Sequence, residues 1–175
     1  MERPHDNSYW VIQDRLLAAE YPGHPGQPDG RQRIEFLLKR GFDFFLDLTH
    51  QGELAPYDIL LEPRGAVHKR MPIADMTVPR APQQMVDILD ELDAALASGR
   101  RVYLHCWGGI GRTGTVVGCH LVRRGMSGED ALAQIADWWS TIAKRQFYPQ
   151  SPQTSEQIAF VMNWEKQEKR GVIGD

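Results

Sequence analysis

The sequence lacks the features that mark three large classes of protein. Only two of its 175 residues are cysteine, Cys106 and Cys119, which excludes a secreted domain held by disulfides and favours a reducing, cytoplasmic location. No apolar run approaches the roughly 20 residues that a membrane helix needs, and the polar N-terminus contains no signal-peptide core. Basic residues form no long block, and 20 basic against 23 acidic residues give a net charge of −3. Neither a membrane nor a nucleic acid is therefore an expected partner.

The composition is that of an ordinary globular protein, with 42% hydrophobic and 25% charged residues. A chain of this length buries about 70% of its unfolded surface when it folds. No internal repeat or low-complexity tract divides it. The sequence therefore predicts one domain over residues 1–175.

Segments with helical spacing alternate with short apolar runs. The predicted strands are 42–48, 101–105 and, more weakly, 67–71. A proline- and glycine-rich ordered turn at 21–30 precedes the first predicted helix, in which Ile34, Leu37 and Leu38 recur at helical spacing and which ends at Gly41. The other predicted helices cover 82–98, 113–122, a segment from Ser127, and 155–169. This order predicts an α/β fold in which helices flank both faces of a central mixed sheet of four to five strands.

The most informative segment is 105–114, which reads His-Cys-Trp-Gly-Gly-Ile-Gly-Arg-Thr-Gly. It joins a predicted strand to a predicted helix through three glycines in four positions. Such glycines let successive backbone N–H groups point inward as an anion-binding nest, and a helix N-terminus adds the positive end of its dipole. Arg112 adds a planar fork that matches phosphate oxygens. Cys106 in this positive site is favoured as a thiolate, which predicts a nucleophile directed at phosphorus.

These residues resemble the signature of the cysteine-dependent protein phosphatases, His-Cys-x5-Arg followed by Ser or Thr, and are most similar to small dual-specificity and bacterial tyrosine phosphatases. The segments 8–12 and 16–22 look like the paired first strands of the bacterial members. The resemblance implies the dual-specificity phosphatase fold and a cysteinyl-phosphate intermediate on Cys106, with no metal or cofactor. It implies that Thr113 hydrogen-bonds the departing thiolate and that His105 orients the loop. The implied phosphate-binding residues are Trp107, Gly108, Gly109, Ile110, Gly111 and Arg112.

The mechanism also needs an acid to protonate the leaving group. In the resembled families it is an aspartate on a mobile loop about thirty residues before the cysteine. Asp75 stands 31 positions before Cys106, in a proline-flanked segment between a predicted strand and a predicted helix. Asp47 and Asp58 are the alternative acids, and Asp75 has the simpler interpretation of a helix-capping or solvated loop residue.

Several other residues have two interpretations. Gln157 falls where some relatives place a water-positioning glutamine, but Thr-Ser-Glu-Gln at 154–157 also fits a capping box. Thr113 also fits a helix N-cap. Cys119 is favoured as a core residue over a redox partner of Cys106. A zinc site built from His105, Cys106, Cys119 and His120 is disfavoured, because adjacent strand residues point to opposite faces.

The resemblance implies a phosphorylated protein or peptide as partner, with phosphotyrosine as substrate and phosphoserine and phosphothreonine as further candidates. The first alternative is a phosphatase of inositol phosphates or other small phosphomonoesters. The lipid phosphatases of the resembled superfamily carry lysines in the variable loop positions, where this chain has Trp107, Gly109 and Ile110. A second alternative is a sulfurtransferase, but that function would leave Asp75 unexplained. A third is a phosphate-binding module without activity, which should lack the nucleophile, the arginine or the acid.

Overall fold

The computed structural model describes residues 2–23 and 29–172. The strands are β1 Ser8–Ile12, β2 Leu16–Ala19, β3 Phe44–Asp47, β4 Val67–Arg70 and β5 Val102–His105. The helices are α1 Gly30–Lys39, α2 Pro82–Ala97, α3 Gly111–Arg123, α4 Gly128–Ser140, α5 Ser155–Met162 and α6 Trp164–Val172. The predicted turn at 21–30 lies partly outside the described residues.

The five strands form one mixed sheet in the order β1-β2-β5-β3-β4. Only β1 runs antiparallel to its neighbour, and β2, β5, β3 and β4 are parallel. The register pairs the last residues of three parallel strands, so Ala19 and Asp47 both lie beside His105. The loops after these strands therefore meet at one edge of the sheet, where α/β proteins bind their ligands.

Helices cover both faces of this sheet, as predicted. In β5 the side chains alternate, so Leu104 packs in the cluster that contains α2 to α6 and Tyr103 packs in the cluster that contains α1. The α3 helix is buried almost all round, and a Cβ at Gly118 would lie 2.7 Å from Val161 of α5. This central position fixes the direction of α3 and hence of its N-terminus.

Two local predictions were wrong. The helix predicted over 155–169 is two helices, α5 and α6, because the backbone leaves the helical conformation at Asn163 (φ −101°, ψ 4°), the C-cap of α5. Thr113 is not an N-cap, since Ile110 occupies that position of α3.

No helix among residues 2–23 and 29–172 has the length and apolar character to cross a bilayer.

Candidate active site

The central strand β5 places Cys106 just before the buried helix α3. We call residues 106–111, which join the two elements, the Cys106 loop. The Cys106 side chain is 3% exposed and lines a pocket of about 310 Å³. Residues from other segments that line it include Asp75, Met76, Lys144 and Tyr148. The candidate nucleophile, a helix N-terminus and an acidic side chain thus share one pocket.

Two positions of the Cys106 loop require glycine, because neighbouring atoms leave no room there for a Cβ. Gly109 has a φ of +72°, and a Cβ there would lie 2.5 Å from the carbonyl carbon of Ala19. A Cβ at Gly111 would lie 2.8 Å from the side chain of Gln157. The loop is therefore packed between the end of β2 and the start of α5, which fixes its path.

Donors outside the loop hold its carbonyl groups. They are Tyr21 N to Trp107 O at 2.9 Å, Lys144 Nζ to Gly108 O at 3.0 Å, and Ser151 Oγ to Ile110 O at 2.8 Å. In a trans peptide the N–H points away from the carbonyl. Fixing these oxygens therefore also fixes the directions of the N–H groups that follow them, at Gly108, Gly109 and Gly111.

Arg112 is 1% exposed, and its guanidinium is held by acceptors from distant segments. Glu53 accepts from both terminal nitrogens, at 2.6 and 2.9 Å, and the Ile73 carbonyl accepts at 3.2 Å. Asp75 Oδ1 lies 3.0 Å from Nη2. The Nε atom is buried and has no hydrogen-bond partner in the described part of the chain, so this N–H can bind an oxyanion.

Asp75 is the candidate acid that the fold brings to the pocket. It is half exposed on the Asp75 loop, residues 71–81, which joins β4 to α2. It does not cap α2, whose N-cap is Ala81.

The two alternative acids are not suited to this role. Asp58 lines a different pocket, with Gln51 and His68. Asp47 is fully buried, and although burial alone would raise its pKa, hydrogen bonds from His68 and Thr49 hold that pKa far below its usual range. A carboxyl group held ionised in this way is a poor proton donor.

Gln157 forms the predicted capping box at the start of α5 and makes further contacts. Its side chain accepts from the backbone N–H groups of Gln153 and Thr154, both at 3.1 Å. Its Nε2 donates to the Thr77 carbonyl at 3.0 Å. The fully buried side chain therefore ties α5 to the Asp75 loop while it packs against Gly111.

His105 lies below the loop, with both ring nitrogens in contact with other groups. Tyr57 Oη lies 2.5 Å from Nε2, and Nδ1 lies 3.1 Å from the Cys106 carbonyl. Burial lowers the pKa of His105 to about 4 and raises that of Tyr57 far above its ordinary value. Tyr57 therefore donates to the neutral ring, and Nδ1–H donates to the Cys106 carbonyl. Both contacts make His105 an unsuitable zinc ligand.

The remaining predicted residues lie on α3 or at its start. Thr113 is fully buried, and its Oγ1 has no hydrogen-bond partner among residues 2–23 and 29–172. Cys119 is also fully buried, and burial raises the pKa of its thiol well above the ordinary value. It stands eight residues beyond Gly111, about 12 Å along the helix. Core packing therefore explains Cys119 better than a redox partnership with Cys106 does.

Within the described residues no three side chains are grouped to hold a metal ion.

Sequence reasoning missed Glu53, Tyr57 and Lys144. The first two belong to the segment Glu-Leu-Ala-Pro-Tyr at 53–57, whose pattern assigns no chemistry by itself. Lys144 precedes the arginine of a polar turn, which indicates only solvent exposure. Through the tertiary fold Glu53 reaches Arg112, Tyr57 reaches His105 and Lys144 reaches Gly108.

Comparisons with known proteins agree with this arrangement. Residues 23–126 match a family model described as "Polymorphic toxin system, DSP-PTPase phosphatase". The human protein named cyclin-dependent kinase inhibitor 3 is 31% identical over 127 residues, which cover 65% of this chain and 59% of that relative. The chain thus spans less than two thirds of that relative's length.

Solved structures share the fold over nearly the whole chain. Tk-PTP in its active form has a TM-score of 0.71 and 27% identity, covering 94% of this chain and 97% of its own. A kinase associated phosphatase with its catalytic-site cysteine changed to serine has a TM-score of 0.75 and 22% identity, covering 94% and 96%. The predicted α/β fold and the resemblance to cysteine-dependent phosphatases are confirmed.

Proposed function

The chain belongs to the DSP-PTPase phosphatase family, and on that premise we propose that it is a phosphoric monoester hydrolase acting on phosphotyrosine in proteins or peptides. Phosphoserine and phosphothreonine are its secondary substrates in this proposal. One observation carries the assignment: Cys106, Asp75 and the start of α3 share a single pocket, and Arg112, the residue after the loop, lies 3.0 Å from Asp75. The proposal assigns residues 1–175 to one catalytic domain.

In the first step of the proposed reaction, Cys106 Sγ attacks phosphorus while the bond to the substrate oxygen breaks. The negative charge on the equatorial oxygens is stabilised by the backbone N–H groups of the Cys106 loop and by Arg112 Nε. Asp75 gives its proton to the departing phenolate or alkoxide. The products are a cysteinyl-phosphate and the free hydroxyl compound.

In the second step water attacks the same phosphorus, and the S–P bond breaks to give inorganic phosphate and the thiolate. Asp75, now ionised, accepts the proton of the water, by microscopic reversibility. The Thr113 hydroxyl donates to the thiolate as it leaves. Gln157 is proposed to orient the water from a side chain that is held by backbone groups of Gln153, Thr154 and Thr77. His105 keeps the Cys106 carbonyl in place.

The pocket mouth supports an aryl phosphate as the preferred substrate. Trp107, Met76 and Tyr148 are 48, 48 and 42% exposed, and all three line the pocket. The aromatic ring of phosphotyrosine can make apolar contacts with this rim, whereas the short side chain of phosphoserine cannot. Lys144 is a cation in the same lining, but Glu20 Oε2 lies 2.5 Å from its Nζ and offsets the charge. The rim therefore offers little attraction to a polyphosphate.

A panel of substrates tests the proposal. The enzyme is assayed with matched phosphotyrosine, phosphoserine and phosphothreonine peptides and with inositol phosphates, and Cys106→Ser serves as the blank. We expect the highest kcat/KM for phosphotyrosine, inhibition by vanadate, and an unchanged rate in EDTA. A preference for inositol phosphates would replace the substrate assignment, and no turnover of any phosphomonoester would contradict the function. Because a free Cys106 thiol is needed, the proposed location is the reducing cytoplasm.

A further inference from the structure

We propose that Lys144 is a positioning residue for the Cys106 loop: its ammonium keeps the Gly108 carbonyl turned outward so that the Gly109 N–H faces the bound phosphate. Lys144 lies on the short turn Ala143–Gln146 after α4, 36 positions from Gly108. The inference rests on the proposed phosphatase function and adds to it a residue outside the signature segment.

The peptide between Gly108 and Gly109 is the one in the loop that most needs an external contact. Both residues that flank it are glycines, so little steric cost opposes its rotation. A rotated peptide would turn its carbonyl oxygen toward the phosphate oxygens and remove one N–H donor. Both changes weaken an oxyanion site, because it depends on preorganised donors.

Lys144 supplies that contact from a fixed position. Its Nζ lies 3.0 Å from Gly108 O and 2.5 Å from Glu20 Oε2. Glu20 is itself nearly buried and also accepts from Arg33 at 2.7 Å, so the carboxylate does not move freely. Burial by itself would raise the pKa of Glu20, but Lys144 and Arg33 hold it below the usual value. The acceptor therefore stays ionised at neutral pH.

The end of β2 also contacts the Cys106 loop directly, through the residues on either side of Glu20. Glu20 follows Ala19, whose backbone is in close contact with Gly109, and the next residue, Tyr21, donates to the Trp107 carbonyl. Residues 19–21 thus support the outer side of the loop directly and, through Glu20, hold the lysine that completes this support. A lysine that only attracted phosphate would not need a carboxylate and a loop carbonyl as partners.

The test compares Lys144→Met with Arg145→Met. Both changes remove one positive charge from the same turn, and methionine retains an unbranched apolar stem. Arg145 is exposed, and none of its side-chain contacts in the described chain is with the loop. We measure kcat, KM, vanadate affinity and the free energy of unfolding for each variant, at low salt and at about 0.5 M salt, where exposed charges are largely screened.

We expect Lys144→Met to lower kcat and vanadate affinity by about 10- to 100-fold, less than complete loss of an oxyanion donor, with a smaller change in KM. The loss should persist at high salt, and Lys144→Arg should restore most of the rate. Arg145→Met should match the wild type. In NMR spectra of Lys144→Met, the Gly109 amide signal should broaden or split.

Two results would overturn the inference. One is a Lys144→Met variant with unchanged kcat and vanadate affinity. The other is a loss confined to KM that disappears at high salt, which would make Lys144 a simple electrostatic attractor. Both require a wild type that turns over phosphomonoesters, so they differ from failure of the proposed function, in which the wild type itself is inactive.

Discussion

Glu53 and Arg112 are 59 positions apart in the sequence, yet hydrogen bonds of 2.6 and 2.9 Å join the carboxylate of one to both terminal nitrogens of the other. This bidentate pair sets the plane of the guanidinium. Partial burial favours a higher pKa for Glu53, but the Arg112 guanidinium and the His50 N–H hold that pKa below its usual value. The carboxylate therefore stays ionised and keeps Arg112 Nε in a fixed direction.

Glu53→Gln should lower kcat/KM for a phosphotyrosine peptide by about tenfold, since it replaces a charge-assisted pair with a neutral one. Steady-state kinetics at pH 7 measure this. Glu62→Gln, the same chemical change on an exposed turn, is the control and should have wild-type kinetics. Equal kinetics for both variants would show that Arg112 needs no partner to hold its orientation.

Arg112→Lys should lower kcat by about 10²- to 10³-fold, as loss of an oxyanion donor does. A lysine retains the charge but has no planar fork, so it cannot pair with Glu53 and bind phosphate in one plane. Vanadate affinity should fall in parallel with kcat. A variant with near-normal turnover would remove Arg112 from its proposed role.

Cys106→Ser should lower turnover by more than about 10³-fold while phosphate still binds, because a serine hydroxyl remains protonated at neutral pH. Calorimetric titration with phosphate measures the retained affinity. Cys119→Ser makes the same substitution in the core of α3 and should keep wild-type kcat per folded molecule. Residual hydrolysis by Cys106→Ser above a few per cent of wild type would identify another nucleophile.

The part of the site that lies in one segment could be predicted from sequence. The Cys106 loop, Arg112 and Thr113 are contiguous, and glycine spacing at a strand-to-helix junction has a direct physical meaning. Three of the strands and most helices could be predicted for the same reason, because apolar periodicity is a local property, whereas the first two strands were predicted from the resemblance to bacterial phosphatases. The helix end at Asn163 was missed, since the helical spacing of the sequence continues through this C-cap residue into α6.

The supporting residues could not be predicted, because tertiary packing brings them to the loop. Tyr57 reaches His105 across 48 positions and Lys144 reaches Gly108 across 36. A glutamate, tyrosine or lysine in a loop carries no local signal that distinguishes such a contact from solvent exposure. Lys144 also shows that a loop without lysines does not mean a pocket without one.

The free energy of unfolding should fall as the pH is lowered from 6.5 to 4.5. Burial lowers the pKa of His105 and of His120 to about 4 in the folded state, whereas an unfolded histidine titrates near 6.5. In this window the unfolded chain binds protons that the folded chain does not, which costs up to about 1.4 kcal/mol per pH unit for each histidine. Urea unfolding across the window measures the slope. His120→Gln should make it shallower, and a flat wild-type profile would contradict the buried neutral histidines.

Asp75→Asn should slow hydrolysis of phosphotyrosine peptides by about 10²- to 10⁴-fold, the usual contribution of a general acid, and slow nitrophenyl phosphate much less. Nitrophenolate is a stable anion that leaves without a proton, whereas the tyrosine phenolate needs one. Asparagine preserves the shape of the side chain, so the comparison isolates the proton. Asp58→Asn, in a separate pocket, is the control and should leave both rates unchanged. Equal slowing of the two substrates by Asp75→Asn would mean that Asp75 acts on binding or on the position of Arg112, 3.0 Å away, and not as the acid.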